Sequence, residues 1–143
     1  MSSSALIAAF AIALGIAGGA VAQGPSGPTA RDGVFTTAQA DRGSEAYVNA
    51  CAHCHASDLQ GDVRKEIPSL AESDFFVRWS NRSLGELFDL VSKDMPADKP
   101  GSLSPRQAAD ILAYVLQVNK FPAGKAELPP DSAQLKPVLI GNP

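Results

Sequence analysis

Cysteine is almost missing from this chain of 143 residues: there are two, Cys51 and Cys54, three positions apart. That argues against a disulfide framework, even for an exported protein. Histidine is as scarce, with His53 and His55 beside those cysteines and none elsewhere. Methionine is confined to Met1 and Met95. Aromatic residues are 6% of the chain although 45% is hydrophobic, so side chains alone supply little bulk for a core. A basic excess is lacking too. The net charge of −3 and pI near 5.2 argue against a nucleic-acid partner, which needs a basic face. The length suits one domain with one core.

The scarce residues converge. Cys51-Ala52-His53-Cys54-His55 has the C-x-x-C-H order of covalent haem attachment. The spacing has a chemical reason. Each thiol can add to one of the two vinyl groups on one side of a haem, and Cys54 then delivers His55 beneath the ring as proximal ligand. Two other uses of such a cluster fit less well. A zinc site needs four suitably spaced ligands, and the positions of His53 and His55 are awkward for it. A thioredoxin-like redox pair wants a βαβ context that the sequence lacks. His53 reads as a partly exposed neighbour of the haem edge.

The chain begins with an address. Ala5 to Ala22 is an unbroken run of Ala, Leu, Ile, Val, Phe and Gly, and Ala20-Val21-Ala22 fits a small-x-small cleavage site. Residues 1–22 are expected to be a signal peptide, although Met1-Ser2-Ser3-Ser4 carries no Lys or Arg. The alternative is an uncleaved anchor, since the run approaches the ~20 residues of a bilayer span. Export to a bacterial periplasm is the expectation, without stable membrane insertion once the leader is removed. Residues 23–34, rich in Gly and Pro, are expected to be a flexible linker.

Three helices are legible beyond it. The first starts at Thr36 or Thr37 and puts Ala40, Gly43, Tyr47 and Ala50 on one narrow face running into Cys51. Gly43 costs about 1 kcal/mol relative to alanine inside a helix, which is best explained by close approach of another helix. Ser83-Leu84-Gly85-Glu86 reads as a capping box opening a helix to about Ser92, with Leu84, Leu87, Phe88 and Val91 on its buried face. Ser104-Pro105-Arg106-Gln107 is a second box with proline at the first helical position. Ala108, Ile111, Leu112, Val115 and Leu116 then form the strongest apolar stripe in the chain, ended by Phe121-Pro122 and meeting Gly43 and Tyr47 near Ile111–Val115. A shorter helical segment, Ser73 to Trp79, has Ser73 as its expected cap. The proline-bearing segment 129–143 is expected to be an extended tail.

Between these elements lie the remaining site candidates. A metal-ligating histidine is usually oriented by an acceptor on its other ring nitrogen, and the Pro68 carbonyl suits that role, although a loop proline needs no such explanation. Leu59 and Leu70 are candidate cofactor-wall residues. Trp79 either reaches a haem propionate through its indole N–H or fills core space. Met95 is the one credible thioether for the iron's sixth position, set against the usual use of methionine as core filler.

Taken together, Gly43 and Tyr47, the Cys51–His55 motif, Pro68-Ser69-Leu70, Met95-Pro96 and the last strong helix resemble the class I (mono-haem) cytochromes c over residues 35–128. More narrowly, Phe75-Phe76-Val77-Arg78-Trp79, Met95-Pro96 and Asn119-Lys120-Phe121-Pro122-Ala123-Gly124 resemble small cytochromes associated with PQQ-dependent quinoprotein dehydrogenases. The resemblance implies an all-α fold of three to four helices around one haem c attached through Cys51 and Cys54, with N- and C-terminal helices crossing. It also implies His55 and Met95 as axial ligands and Pro68 bonded to His55. The function expected is electron transfer, not catalysis, between redox proteins: a dehydrogenase-type donor, a quinoprotein dehydrogenase among the candidates, and a respiratory acceptor. A peroxidase-like or gas-sensing haem protein would instead keep an open distal site. Glu86, Asp89, Asp94 and Asp98 near Met95 form either an acidic docking patch or a solvated face.

Overall fold

Thr36 turns the chain into its first long helix. Its hydroxyl accepts the Gln39 N–H at 3.1 Å, satisfying one of the amides a helix start leaves unpaired. In the computed structural model, which describes residues 27–142, α1 then spans Thr37–Ala50 and buries Gln39, Ala40, Gly43 and Tyr47. A one-turn α2 (Ala52–His55) follows, then α3 (Glu72–Trp79), α4 (Leu84–Asp94), α5 (Pro105–Val118) and a one-turn α6 (Ser132–Leu135). The four longer helices carry the all-α architecture expected, and the described residues contain no β-strand, only isolated bridges. The expected signal peptide, residues 1–22, lies outside the described residues. Among those described, no helix is long and apolar enough to cross a membrane.

The frame is the packing of α1 on α5. Ser104 and Gln107 complete the capping box that opens α5, and Ala108, Ile111, Leu112, Val115 and Leu116 are all buried. Full burial of one large aliphatic side chain contributes roughly 1.5–3 kcal/mol. Gly43 lies against the Asp110 backbone of α5, and Tyr47 stacks obliquely on Tyr114, with ring centroids 5.4 Å apart. Alongside, the Arg42 guanidinium forks onto the buried Asp110 carboxylate at 2.9 and 3.1 Å and reaches Glu127 at 2.9 Å. Those two carboxylates push the Arg42 pKa up. The buried Gln39 amide accepts the Leu128 N–H at 2.7 Å and donates to the Leu128 carbonyl at 3.1 Å, tying the chain beyond α5 back across α1.

Several boundaries differ from the sequence expectation. Ala71, not Ser73, is the residue before α3, and no side chain caps it. Ser83 does accept the Gly85 N–H, but Glu86 turns away to Arg82 at 3.0 Å, so that capping box is half formed. In the expected linker, residues 27–34 are built into the fold: Thr29 caps a 3₁₀ turn at Ala30–Asp32, and Ala30 is fully buried. Nor does the tail trail away. It carries α6, buries Leu135 and Ile140, and lays Leu139 between Thr29 on one side and Ser83 on the other. Paired backbone and buried apolar side chains hold residues 27–34 and 131–140 against the helices, which a reading of Gly and Pro content misses.

Candidate functional site

Where α1 ends, the chain turns at Cys51, whose N–H donates to the Tyr47 carbonyl at 2.8 Å. The Cys51 carbonyl in turn accepts the N–H groups of Cys54 and His55 at 3.1 and 2.9 Å, closing α2 as a single tight turn. Residues three and four apart share a helical face, so this turn sets Cys51, Cys54 and His55 side by side. Both cysteines are free thiols, half-buried. Burial, with Cys54 adding to it, pushes the Cys51 thiol up to about 11. His53 is exposed, with Nε2 3.1 Å from Cys54 Sγ.

The loop after α2 is held from three directions. Tyr47 donates its hydroxyl to the Ala56 carbonyl at 2.8 Å, and burial, then Cys51, raises its pKa, keeping it a donor. The buried Ser69 hydroxyl shares its one proton between the Leu59 and Ala71 carbonyls, at 3.3 and 3.1 Å. Asn119 at the end of α5 accepts the Glu72 N–H and donates to the Leu70 carbonyl, both at 2.9 Å. The loop so fixed presents the Pro68 carbonyl 3.1 Å from His55 Nδ1. A carbonyl oxygen can only accept, so Nδ1 carries a proton, and in the neutral ring Nε2 is the nitrogen whose lone pair is left for a metal.

Seven of the sequence candidates, Cys51, Cys54, His55, Pro68, Leu70, Trp79 and Met95, line one cleft. Trp79 is buried there, and Arg82 lies over its indole at 4.3 Å. Met95 sits at the C-terminal cap of α4 in extended backbone. Leu59 does not join the wall; it is buried behind the loop, where its backbone supports Leu70. The sequence also leaves unassigned the role of Phe75, Leu87, Val91, Ile111, Leu112 and Val115, which close the cleft with apolar surface. Their helical spacing reads as ordinary core, and only the partial exposure of neighbouring Leu90 marks the difference. Of the four acidic residues near Met95, Glu86 pairs with Arg82 at 3.0 Å and Asp89 with Lys93 at 2.9 Å. Half the expected acidic patch is thus neutralised within the fold.

The donor set fits a haem. Two nearby cysteines, an imidazole oriented through Nδ1, a thioether from the end of α4 and a mainly apolar wall meet in one cleft. No curated protein and no solved structure matches the chain. A family model described as Cytochrome C oxidase, cbb3-type, subunit III matches residues 38–115, more than half of the sequence, from α1 through most of α5. The chain belongs to that family: it is a class I, mono-haem c-type cytochrome domain, whose cofactor is covalently bound haem c and whose work is electron transfer.

Proposed function

We propose that this cytochrome is an exported, periplasmic one-electron carrier with a closed His/Met site, taking electrons from a dehydrogenase and passing them to a respiratory acceptor. Cys51 and Cys54 would hold the haem covalently, and His55 and Met95 would be the side chains that bind its iron. The observation that carries this reading is the meeting of His55, oriented through Nδ1 by the Pro68 carbonyl, and Met95 in one apolar cleft. When bound, the haem supplies the Fe(III)/Fe(II) couple, which a thioether ligand biases toward the ferrous state.

The chain's own residues do the rest. His55 is fixed in one tautomer, so its Nε2 is presented without a prior proton shift. Phe75, Trp79, Leu87 and Val91 keep water from the cleft interior, which stabilises the less charged reduced state. Leu70 and Trp79 act as wall residues. With His55 and Met95 both binding iron, the haem would supply electron transfer and would not offer a free coordination position to peroxide or a gas. The resemblance to quinoprotein-associated cytochromes supports a dehydrogenase donor, and the oxidase named in the family description supports a respiratory acceptor.

The test is optical. Pyridine haemochrome analysis should report one haem c per chain, and the ferric protein should show the weak band near the red end of the spectrum that marks an Fe–S(Met) bond. Met95→Ala should abolish that band without releasing the haem. A wild-type ferric protein lacking the band would overturn the closed-site reading in favour of an open distal position.

A further inference from the structure

The segment beyond α5 lies outside residues 38–115 matched by the family, and covalent attachment at Cys51 and Cys54 does not require it. Yet it is among the most closely fitted parts of the molecule. Gly85, in the first turn of α4, faces the α6 backbone: a β-carbon there would stand 2.7 Å from the Ser132 carbonyl oxygen and 2.8 Å from the Lys136 nitrogen. Only glycine permits that approach. Ser132 donates its hydroxyl to the Gly85 carbonyl at 3.3 Å, and Ser83 donates to the Lys136 carbonyl at 2.9 Å.

Backbone pairing continues past α6. The Leu84 N–H donates to the Val138 carbonyl, and the Asn81 N–H to the Ile140 carbonyl, each at 2.8 Å. Ile140 returns a bond to the Arg82 carbonyl at 2.9 Å. On its other side the same run is fastened to the N-terminal segment, through Leu139 N–H to the Pro28 carbonyl at 2.9 Å and Ala30 N–H to the Leu139 carbonyl at 2.8 Å. Leu135 and Ile140 are buried beneath it. The first turn of α4 is therefore gripped by a segment itself held at both faces.

We propose that Ser132–Ile140 is a strap that fixes the direction of α4 and thereby holds the Met95 thioether in ligating position. This rests on Met95 being the axial ligand. The lever is geometric. Leu87, Leu90 and Val91 of α4 face the cleft, and Met95 is the residue at the helix end, followed by a mostly exposed turn at 97–102 that offers little support. An 11-residue helix is about 15 Å from first to last Cα, so a tilt of about 10° at Gly85 moves its far end by roughly 2.5 Å, more than a metal–ligand bond tolerates. Gly85, Leu135 and Ile140 are positioning residues in this scheme; none lines the cleft.

The test uses holoprotein in three forms besides wild type: a chain ending at Pro130, full-length Gly85→Ala, and Gly43→Ala as a variant weakened elsewhere. Imidazole is titrated into each ferric protein, where it competes with the thioether for iron, and the Fe–S(Met) band is followed with temperature. The strap predicts at least tenfold tighter imidazole binding in the truncated chain and in Gly85→Ala. It also predicts that the band is lost well below the temperature at which helical dichroism melts, with Gly43→Ala binding imidazole as wild type does. If the truncated chain fails to hold haem, Gly85→Ala decides alone. Affinity within twofold of wild type in the strap variants, or equal tightening in Gly43→Ala, overturns the proposal. A wild-type protein without the band, by contrast, removes the ligand reading itself.

Discussion

Gly43 of α1 lies directly on the Asp110 carbonyl of α5, closer than any residue with a side chain would allow. The contact is backbone against backbone, so no rotamer change relieves it. Gly43→Ala gains about 1 kcal/mol in helix propensity, but overpacking against a main chain costs about 1–3 kcal/mol, and a fixed neighbour favours the upper end. A net loss of about 1–2 kcal/mol is expected from these opposing terms in denaturant unfolding. A variant as stable as wild type would show that α1 and α5 separate without cost.

Tyr47 extends the same face toward the motif. Its hydroxyl donates to the Ala56 carbonyl, the residue following His55, at 2.8 Å. Tyr47→Phe keeps the ring against Tyr114 but leaves the carbonyl without that partner. A loss of about 0.5–1.5 kcal/mol is expected, the net worth of one hydrogen bond, because the Ala56 carbonyl keeps the Leu59 N–H. Hydrogen exchange should locate the loosening in the 56–61 loop, where the Gly61 N–H bonds the His55 carbonyl. Uniform loosening across α1 would instead assign Tyr47 to packing alone.

How much of this was legible in the sequence depends on the kind of signal. Cys51, Cys54 and His55 announce themselves because the chemistry of attachment demands that spacing, and the Ser104–Gln107 box is written in four consecutive residues. Gly43 is legible because a glycine inside a helix has a cost that needs a reason. The long-range pairings are not. Nothing local marks Leu139 as the partner of Pro28 and Ala30, or Asn119 as the link between Leu70 and Glu72. Apolar stripes also do not say whether they face other side chains or a cofactor, so Leu112 and Val115 read as core although they line the cleft. Glu86 shows a local rule losing to a neighbour, Arg82, which takes its carboxylate from the cap.

Asn119 joins three backbone groups from a buried position, with its oxygen on the Glu72 N–H and its amide N–H groups on the Leu70 and Val115 carbonyls, each at 2.9 Å. Asn119→Ala strands the first two, and a loss of about 2–3 kcal/mol is expected. Asn119→Asp keeps the acceptor for Glu72 but presents a carboxylate to the Leu70 carbonyl. It should therefore be no better than alanine, while Asn119→Ser should fall between them and wild type. Near-wild-type unfolding in Asn119→Asp would mean that only the Glu72 bond counts.

Acid should release α6 before the α1–α5 frame. Lys93, paired at 2.9 Å, holds Asp89 below the usual carboxylate range; the Gln134 side chain, then the Ala133 N–H, does the same for Asp131. A carboxyl depressed in the folded state contributes stability that is fully present above its unfolded pKa of about 4 and is lost as pH falls through the folded value. Protection of the α6 amides, corrected for intrinsic exchange, should therefore be flat from neutral pH to about 4 and decline below it. Asp131 is exposed and Asp89 partly so, and Lys93 is exposed, so added salt should shrink the effect that depends on Lys93. Asp131→Asn and Asp89→Asn should each flatten part of the acid decline while lowering protection at neutral pH. A decline of unchanged size in the double variant would place the acid-sensitive groups elsewhere in the chain.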